Sequence, residues 1–266
     1  MNGPDTENNG AGAATPAPLA RNGLMARVFI TGSADGLGRL AAQTLLDDRH
    51  EVVVNVRNSD RVEAVGDLVD RGAAVVVGDL ANLEKTRGIA RDVNSLGRMD
   101  AVIHNAGVYT GPQVLPVNIV APYLLTALID QPQRLVYLSS SDHYNGRAVL
   151  DGVDWSGQMA GSYSDSKLFV TTLAAAVARL WPDVFSNAVD PGWVPTNMGG
   201  PGAPDDLRLG HVTQEWLATR DDPEARTSGG YWHHQRRTEP HSAVRDPQFQ
   251  NQLLDALARS TGTRIN

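Results

Sequence analysis

Two side chains that can exchange protons stand four residues apart in the stretch GSYSDSK, namely Tyr163 and Lys167. Residues four apart on a helix lie on one face, so the phenol and the ammonium should point the same way. A phenol has a reference pKa of about 10, and a nearby positive charge favours its deprotonated form. Moving that pKa by about three units takes ~4 kcal/mol, which a lysine and a second positive charge could supply in a sheltered cleft. Because the pair alone also suits a tyrosine packed over a surface lysine, the upstream motifs must decide.

A glycine-rich turn lies far upstream, in the stretch TGSADGLG with Gly32, Gly36 and Gly38. Small residues at this point let the backbone approach a pyrophosphate, which helix N–H groups then hold. The spacing differs from the G-x-G-x-x-G fingerprint, so a plain tight turn is the alternative. Its place in the first strand–turn–helix unit favours nucleotide binding.

The residues after the second and third apolar runs bear on which nucleotide is bound. The second run ends in Arg57 with no carboxylate beside it, and a guanidinium there can pair with a 2′-phosphate. We therefore predict NADP(H) rather than NAD(H); the alternative is an ordinary solvated arginine. Asp79 follows the third run and can either accept a hydrogen bond from adenine or cap the next helix.

The elements that must position these residues alternate along the chain. Short apolar runs are expected as strands at 26–30, 51–56, 73–77, 101–105, 134–140 and 185–192. Helical segments are expected between them and at 61–70, 118–129, 163–181, 213–220 and 249–259. Strands that are apolar throughout are buried on both faces, which predicts an α/β fold: a Rossmann-type doubly wound parallel sheet in a single domain. The domain should span 25–266, after a disordered leader at 1–24.

Composition narrows the function classes. The chain has 266 residues, no cysteine and a formal net charge of -7 without a basic stripe, which argues against nucleic acid as a partner. No run reaches the ~18 apolar residues of a membrane span, and the N-terminus lacks the features of a signal peptide. We therefore expect a cytoplasmic protein with no membrane span.

Taken together, the motifs resemble the short-chain dehydrogenase/reductase family, in its retinol-dehydrogenase-like branch. The matching stretches occur in the family's order: TGSADGLG, GDL, HNAG, PVNIVAPYLL, LVYLSSS, YSDSK and DPGWVPT. The resemblance implies that Tyr163 is the catalytic acid/base and that Lys167 lowers its pKa while holding the nicotinamide ribose. It also implies that Ser140 hydrogen-bonds the reacting oxygen and that Asn118 supports a water that relays protons to Lys167.

The same resemblance implies a set of cofactor contacts along the strand ends. They are Gly32, Ser33, Gly36, Leu37, Gly38, Arg57, Asp79, Leu80, Asn105, Ala106, Gly107, Tyr163, Lys167, Pro191, Gly192, Val194 and Thr196. Asn105 should tie neighbouring loops together, and His104 beside it is interpreted as a packing or orienting residue rather than a catalytic one. Of three adjacent serines, Ser140 should face the site, since alternate residues of a strand point in opposite directions.

Two segments depart from the family's common pattern and should cover the substrate, around 141–162 and 194–240. Tyr144, Val153, Trp155 and Met159 in the first segment either line an apolar pocket or anchor a long surface loop. His233 and His234 in the second should point apart on a strand, so we predict no metal site.

The sequence thus predicts an NADP(H)-dependent oxidoreductase that transfers a hydride between nicotinamide and a carbonyl or alcohol substrate with an apolar part. The alternative is a catalytically silent, dinucleotide-binding regulatory protein. The family's usual interface helices, the one with Asn118 and the one after Tyr163, predict a homodimer or homotetramer. Simple packing of those helices against the sheet is the other interpretation.

Overall fold

The apolar runs form the strands of one sheet, and the segments between them form helices on its two faces. The computed structural model describes residues 25–265, so the predicted leader, 1–24, lies outside the described residues. The strands are β1 (Arg27–Ile30), β2 (Glu51–Val56), β3 (Ala74–Val77), β4 (Ala101–His104), β5 (Arg134–Leu138), β6 (Phe185–Asp190), β7 (Tyr231–His233) and β8 (Arg236–Thr238). The helices are α1 (Gly36–Asp47), α2 (Gly66–Asp70), α3 (Leu83–Ser95), α4 (Ala121–Leu128), α5 (Tyr163–Leu180), α6 (Leu207–Thr219) and α7 (Pro247–Thr261).

The strand order is β3-β2-β1-β4-β5-β6-β7-β8. Neighbouring strands are parallel from β3 through β7, and β8 is antiparallel to β7. The chain winds outward in one direction from β1 to β3 and in the other from β4 onward, so the predicted doubly wound sheet is confirmed. Ligands of such sheets bind beyond the carboxyl ends of the strands, at the point where the winding reverses. That point lies between β1 and β4.

Apolar side chains fill the space on both faces of the sheet. On β1, Phe29 packs into one cluster and its neighbours Val28 and Ile30 into the other, as the alternation of side chains along a strand requires. Every residue of β4 and β5 is buried. This explains why their sequences are mostly apolar, with the polar His104 and Arg134 confined to strand ends.

Part of the expected helix at 61–70 is absent. Two 3-10 turns, Ser59–Arg61 and Glu63–Val65, lead into the short α2. Val65 has φ -117°, which interrupts the helical path, and Val65 and Leu68 are the buried apolar residues of this stretch. With so little apolar surface to pack, tertiary contacts stabilise only one turn of α-helix.

The two C-terminal helices begin earlier than predicted, because aspartates cap them. The Asp206 carboxylate accepts a hydrogen bond from the Arg208 amide at the start of α6, and Asp246 does the same for the Gln248 amide at α7. Capping carboxylates satisfy the unpaired N–H groups of a first helical turn. No helix within residues 25–265 has both the length and the apolar character needed to cross a membrane.

Helix α5 is buried within a single chain along most of its length, from Asp165 to Ala174 and beyond. It packs against α7 and against the 3-10 turn Ser141–Asn145. Packing inside one chain therefore accounts for the small residues of α5, and the predicted oligomer stays a prediction.

Candidate active site

The glycine turn after β1 is shaped by contact with the loop after β4. Gly32 has φ +67°, and a Cβ there would lie 2.9 Å from the Cα of Ala106; a Cβ on Gly38 would lie 2.3 Å from Nδ2 of Asn105. The Asn105 amide donates to the carbonyls of Thr31 and Gly32 at 2.9 and 3.1 Å. Asn105 thus ties the two loops together, and only glycine fits between them.

A cleft of about 450 Å³ opens above these loops at the carboxyl ends of the strands. The predicted cofactor residues that border it are Gly32, Gly36, Leu37, Arg57, Asp79, Leu80, Asn105, Ala106, Gly107, Tyr163, Lys167, Pro191 and Thr196. Four others lie behind this wall. Ser33 is fully buried and donates to the Ile30 carbonyl, Gly38 contacts Asn105, Gly192 donates to the Asp190 carboxylate, and Val194 packs against Gly210 of α6.

One end of the cleft carries two arginines. Arg57 follows β2 and is exposed, and Arg61 from the next 3-10 turn pairs with Asp35 at 3.2 Å. Arg61 was missed because its segment was interpreted as a continuous helix. Asp79 accepts a hydrogen bond from the Ala81 amide at 3.0 Å, whereas Asn82 caps α3. Asn82, and not Asp79, therefore caps α3, while Asp79 borders the cleft.

The other end of the cleft holds the tyrosine and the lysine, at the start of α5. The Ser162 hydroxyl caps this helix by accepting from the Asp165 amide. Lys167 is 4% exposed, its ammonium donates to the Leu138 carbonyl at 2.8 Å, and it lies 5.4 Å from the centroid of the Tyr163 ring. The pair faces one cleft, as the spacing predicted. Burial lowers the pKa of Lys167 to about 8, against the opposing effect of two carboxylates, Asp190 and Asp142.

The pKa of Tyr163 is shifted in the direction opposite to the one expected. Burial raises it above its ordinary value, a hydrogen bond with the Ser140 side chain partly offsets that rise, and the charges of Asp142 and Asp190 add to it. Two acids that sequence reasoning missed thus act on the tyrosine through their negative charge. They come from the turn after β5 and from the end of β6, so only the folded chain brings them together. Tyr163 in this state is a protonated phenol, which suits a proton donor.

The three adjacent serines take different roles. The Ser140 hydroxyl accepts from the Asp142 amide at 3.2 Å, and the Ser140 side chain lies close enough to Tyr163 to lower its pKa. Ser139 is buried, and its hydroxyl bonds with that of Thr171 at 2.5 Å on the inner side of α5. Ser140 therefore lies beside Tyr163, whereas Ser139 borders the cleft with its hydroxyl bonded to α5.

Asn118 lies in a π-helical turn, Pro116–Val120, directly before α4. Its amide oxygen accepts from the Val108 amide at 2.8 Å, and its nitrogen donates to the Val108 carbonyl and the Ser166 hydroxyl. The side chain therefore fixes the loop after Gly107 to α5. The expected water relay to Lys167 stays a prediction.

Large apolar side chains lie exposed beside Tyr163 and in the loop after β6. Tyr109 is 56% exposed with its ring 4.8 Å from that of Tyr163, and the methyl group of Met198 would lie 3.8 Å from a Cβ on Gly107. Trp193 is exposed as well, and its indole N–H donates to the Gly199 carbonyl. No motif pointed to Tyr109, because its role depends only on where the loop after β4 passes.

The insertion at 141–162 divides into two parts. Val153 and Trp155 pack against the core, with the Trp155 ring 5.7 Å from that of Phe169, so these residues anchor the loop. Tyr144 lies instead in the turn after Ser140 and is 47% exposed. Met159 is also exposed.

The histidines follow the predictions only in part. His104 is buried against Tyr137, bonds with the Thr126 hydroxyl, and has its pKa lowered to about 3 by burial, so it packs as expected. The prediction that His233 and His234 point apart was wrong: their rings stack at 3.8 Å. His234 has φ +47° in the turn between β7 and β8, so strand alternation does not apply there. Among residues 25–265, no three histidine or acidic side chains are grouped to hold a metal ion.

Comparison with known proteins identifies the class. Residues 26–129 match the short chain dehydrogenase family model. An uncharacterized oxidoreductase of Emericella nidulans is 36% identical over 256 residues, covering 91% of this chain and 99% of the relative. The chain therefore belongs to the short-chain dehydrogenase/reductase family of oxidoreductases, as its motifs indicated.

Solved structures share the fold. An uncharacterized protein from Mycobacterium paratuberculosis superposes with a TM-score of 0.73 at 21% identity, over 92% of this chain and all of that one. A blue fluorescent protein from a metagenomic library, in complex with NADPH, gives a TM-score of 0.66 at 19% identity, over 78% of this chain and 95% of its own.

Proposed function

We propose that this protein is an NADP(H)-dependent oxidoreductase that reduces a carbonyl compound, or oxidises the matching alcohol, with Tyr163 as the acid/base. The observation that carries the proposal is the grouping of Tyr163 and Lys167 at one end of the glycine-walled cleft, with Ser140 beside Tyr163. This set is complete, which disfavours the silent regulatory alternative.

The cleft suits a nicotinamide dinucleotide. Its glycines leave the backbone open where a diphosphate needs close approach, as the short Cβ distances at Gly32 and Gly38 indicate. A bound nicotinamide dinucleotide would donate or accept the hydride. Lys167, with its charge near the cleft wall at Gly107, would hold the ribose hydroxyls of that cofactor.

The two arginines support the preference for NADP(H). A guanidinium forms charge-assisted, bidentate hydrogen bonds with phosphate oxygens. Within the described residues Arg57 forms no ion pair, whereas Arg61 forms an ion pair with Asp35 at the surface. A 2′-phosphate between them would meet two guanidinium groups, of which only that of Arg61 is paired with a carboxylate, Asp35. The related fold that binds NADPH agrees with this preference.

The proton step follows from the pKa shifts. Because burial keeps Tyr163 protonated, the phenol is ready to donate to the oxygen of a carbonyl as that oxygen gains negative charge. Ser140 would donate a second hydrogen bond to the same oxygen and stabilise the developing charge. In the reverse direction Tyr163 would accept the alcohol proton, and a charged Lys167 stabilises the phenolate so formed.

The exposed side chains around the catalytic end favour a substrate with an apolar or aromatic part. The Tyr109 ring lies beside the proton donor, Met198 borders the cleft, and Tyr144 is exposed in the turn after Ser140. We extend the proposal to the segments 141–145 and 193–198 as the substrate walls, and to a homodimer or homotetramer as the assembly.

The test is NADPH oxidation with aldehydes, ketones and quinones that carry aromatic, aliphatic or charged groups, with NADH run in parallel. The proposal expects turnover of apolar carbonyls with a clear preference for NADPH. Tight NADPH binding without turnover of any carbonyl would instead support the silent regulatory alternative.

A further inference from the structure

A buried histidine lies directly behind the reactive serine. His143 belongs to the 3-10 turn Ser141–Asn145 and is 0% exposed. Its Nδ1 lies 2.8 Å from the Ser140 carbonyl oxygen, and its Nε2 accepts a hydrogen bond from the His241 amide at 3.0 Å. The imidazole thus joins the serine turn to a stretch almost one hundred residues away in the sequence.

These two partners determine which nitrogen of the His143 ring carries the proton. A backbone carbonyl can only accept, so Nδ1 must carry a hydrogen; a backbone amide can only donate, so Nε2 must have none. His143 is therefore the neutral Nδ1–H tautomer. The backbone N–H of the same residue also donates to the Ser140 carbonyl, at 3.0 Å, so that oxygen is held by two donors from one residue.

The far partner is part of a segment we call the closing segment, residues 239–241, which follows β8. A second contact ties it to the serine turn, because the Tyr144 hydroxyl donates to the Glu239 carbonyl at 2.5 Å. The His143 ring is also packed between Tyr144 and Tyr231, with centroid distances of 4.0 and 4.4 Å. The position of Ser140 is thereby coupled to the closing segment.

We propose that His143 is a positioning residue: as the neutral tautomer it fastens the Ser140 turn to the closing segment and so keeps the Ser140 hydroxyl at Tyr163. This inference rests on the proposed function for its effect on turnover. The fastening itself stands on the hydrogen bonds alone.

Acid should break the hydrogen bond between the His143 ring and the His241 amide. A second proton would occupy Nε2 and set one N–H against another, that of His241, so the bond would be lost. Burial lowers the pKa of His143, and His241 lowers it further, while the Ser140 carbonyl and the Asp190 carboxylate from β6 raise it. The other titratable groups at the ring are Tyr231 from β7 and Asp142 and Tyr144 from its own turn. The fastening is present above this lowered pKa and is lost as the pH falls through it.

Two substitutions separate bonding from packing. His143→Phe keeps a ring between Tyr144 and Tyr231 but removes both hydrogen bonds, and should lower kcat roughly tenfold, the equivalent of one net hydrogen bond, with the KM for NADPH unchanged. His143→Gln can still donate to Ser140 and accept from His241 but does not titrate. It should retain kcat at pH 8 and lose the fall in activity that the wild-type profile shows at acid pH. Tyr144→Phe, the matched control, cuts the second contact and should keep that acid fall.

Two measurements that do not need turnover test the fastening directly. Imidazole nitrogen shifts from NMR at pH 7 should show a neutral Nδ1–H ring for His143. Backbone amide hydrogen exchange in the closing segment should be faster in His143→Phe than in the wild type and unchanged in His143→Gln. The inference would be overturned if the His143 ring were charged or protonated at Nε2, or if hydrogen exchange were unchanged in His143→Phe. It would also be overturned if His143→Phe kept the wild-type kcat and pH profile. If the wild type reduces no carbonyl, the proposed function fails, while the NMR and exchange results still decide the role of His143.

Discussion

Replacement of Gly38 by alanine tests whether the glycine turn shapes the cofactor cleft. A Cβ at this position would lie 2.3 Å from Asn105 Nδ2 and 2.6 Å from the Gly32 carbonyl oxygen, and real contacts of this kind stay beyond 3.0 Å. Asn105 must therefore move and give up its two hydrogen bonds to the loop after β1. At about 1 kcal/mol for each bond and 1–3 kcal/mol for overpacking, the free energy of unfolding should fall by roughly 3–5 kcal/mol.

The matched control is Gly66→Ala at the start of α2. This glycine has helical φ and ψ of -55° and -42°, and a Cβ there meets nothing within 4 Å. Alanine at such a site should stabilise the chain by about 0.4–1 kcal/mol. Urea unfolding gives both free energies, and fluorescence titration gives the Kd for NADPH, which should rise at least tenfold for Gly38→Ala only. A Gly38→Ala variant with wild-type stability and wild-type NADPH affinity would refute the assigned role of the turn.

Three further predictions concern the catalytic end and the cofactor end of the cleft. Ser140→Ala should lower kcat by roughly 10²–10³, because it removes a hydrogen-bond donor to the developing oxyanion. Ser139→Ala should leave kcat unchanged and reduce the free energy of unfolding by about 1–3 kcal/mol. Equal effects of the two variants on kcat would contradict the assignment of the two serines. Arg57→Ala should raise the Kd for NADPH by roughly tenfold and leave that for NADH unchanged. The control is Arg91→Ala, which removes an exposed arginine of α3 that does not line the cleft. A parallel loss of affinity for both cofactors would show that Arg57 does not discriminate between them. Because burial lowers the pKa of Lys167 to about 8, its charge is lost as the pH rises through that value, so kcat/KM of the free enzyme should fall above about pH 8; a profile flat to pH 10 would contradict this.

Local pattern was sufficient to predict the parts of the site that lie on one element. Tyr163 and Lys167 share a helix face because four residues make about one turn. Gly32 and Gly38 indicate close backbone contact at a strand–helix turn. The doubly wound sheet was predictable for the same reason, since strands buried on both faces leave a continuous apolar signature.

The features that sequence reasoning missed depend on distant segments that meet after folding. Asp142 lies in the turn after β5 and Asp190 ends β6, and both charges act on Tyr163 only because β5 and β6 are neighbours. Arg61 reaches the cleft because the segment around it forms 3-10 turns instead of one long helix. The stacked rings of His233 and His234 arise from a left-handed backbone at His234, which strand periodicity does not anticipate.

The central claim is that the Tyr163 hydroxyl transfers the proton. Its most direct test compares wild type with Tyr163→Phe, measuring NADPH oxidation on a carbonyl the wild type reduces and, in parallel, the Kd for NADPH. The account predicts a fall in kcat of about 10²–10⁴ with NADPH affinity nearly unchanged, because only the proton donor is removed. A Phe variant that reduces the same carbonyl at the wild-type rate would contradict the account.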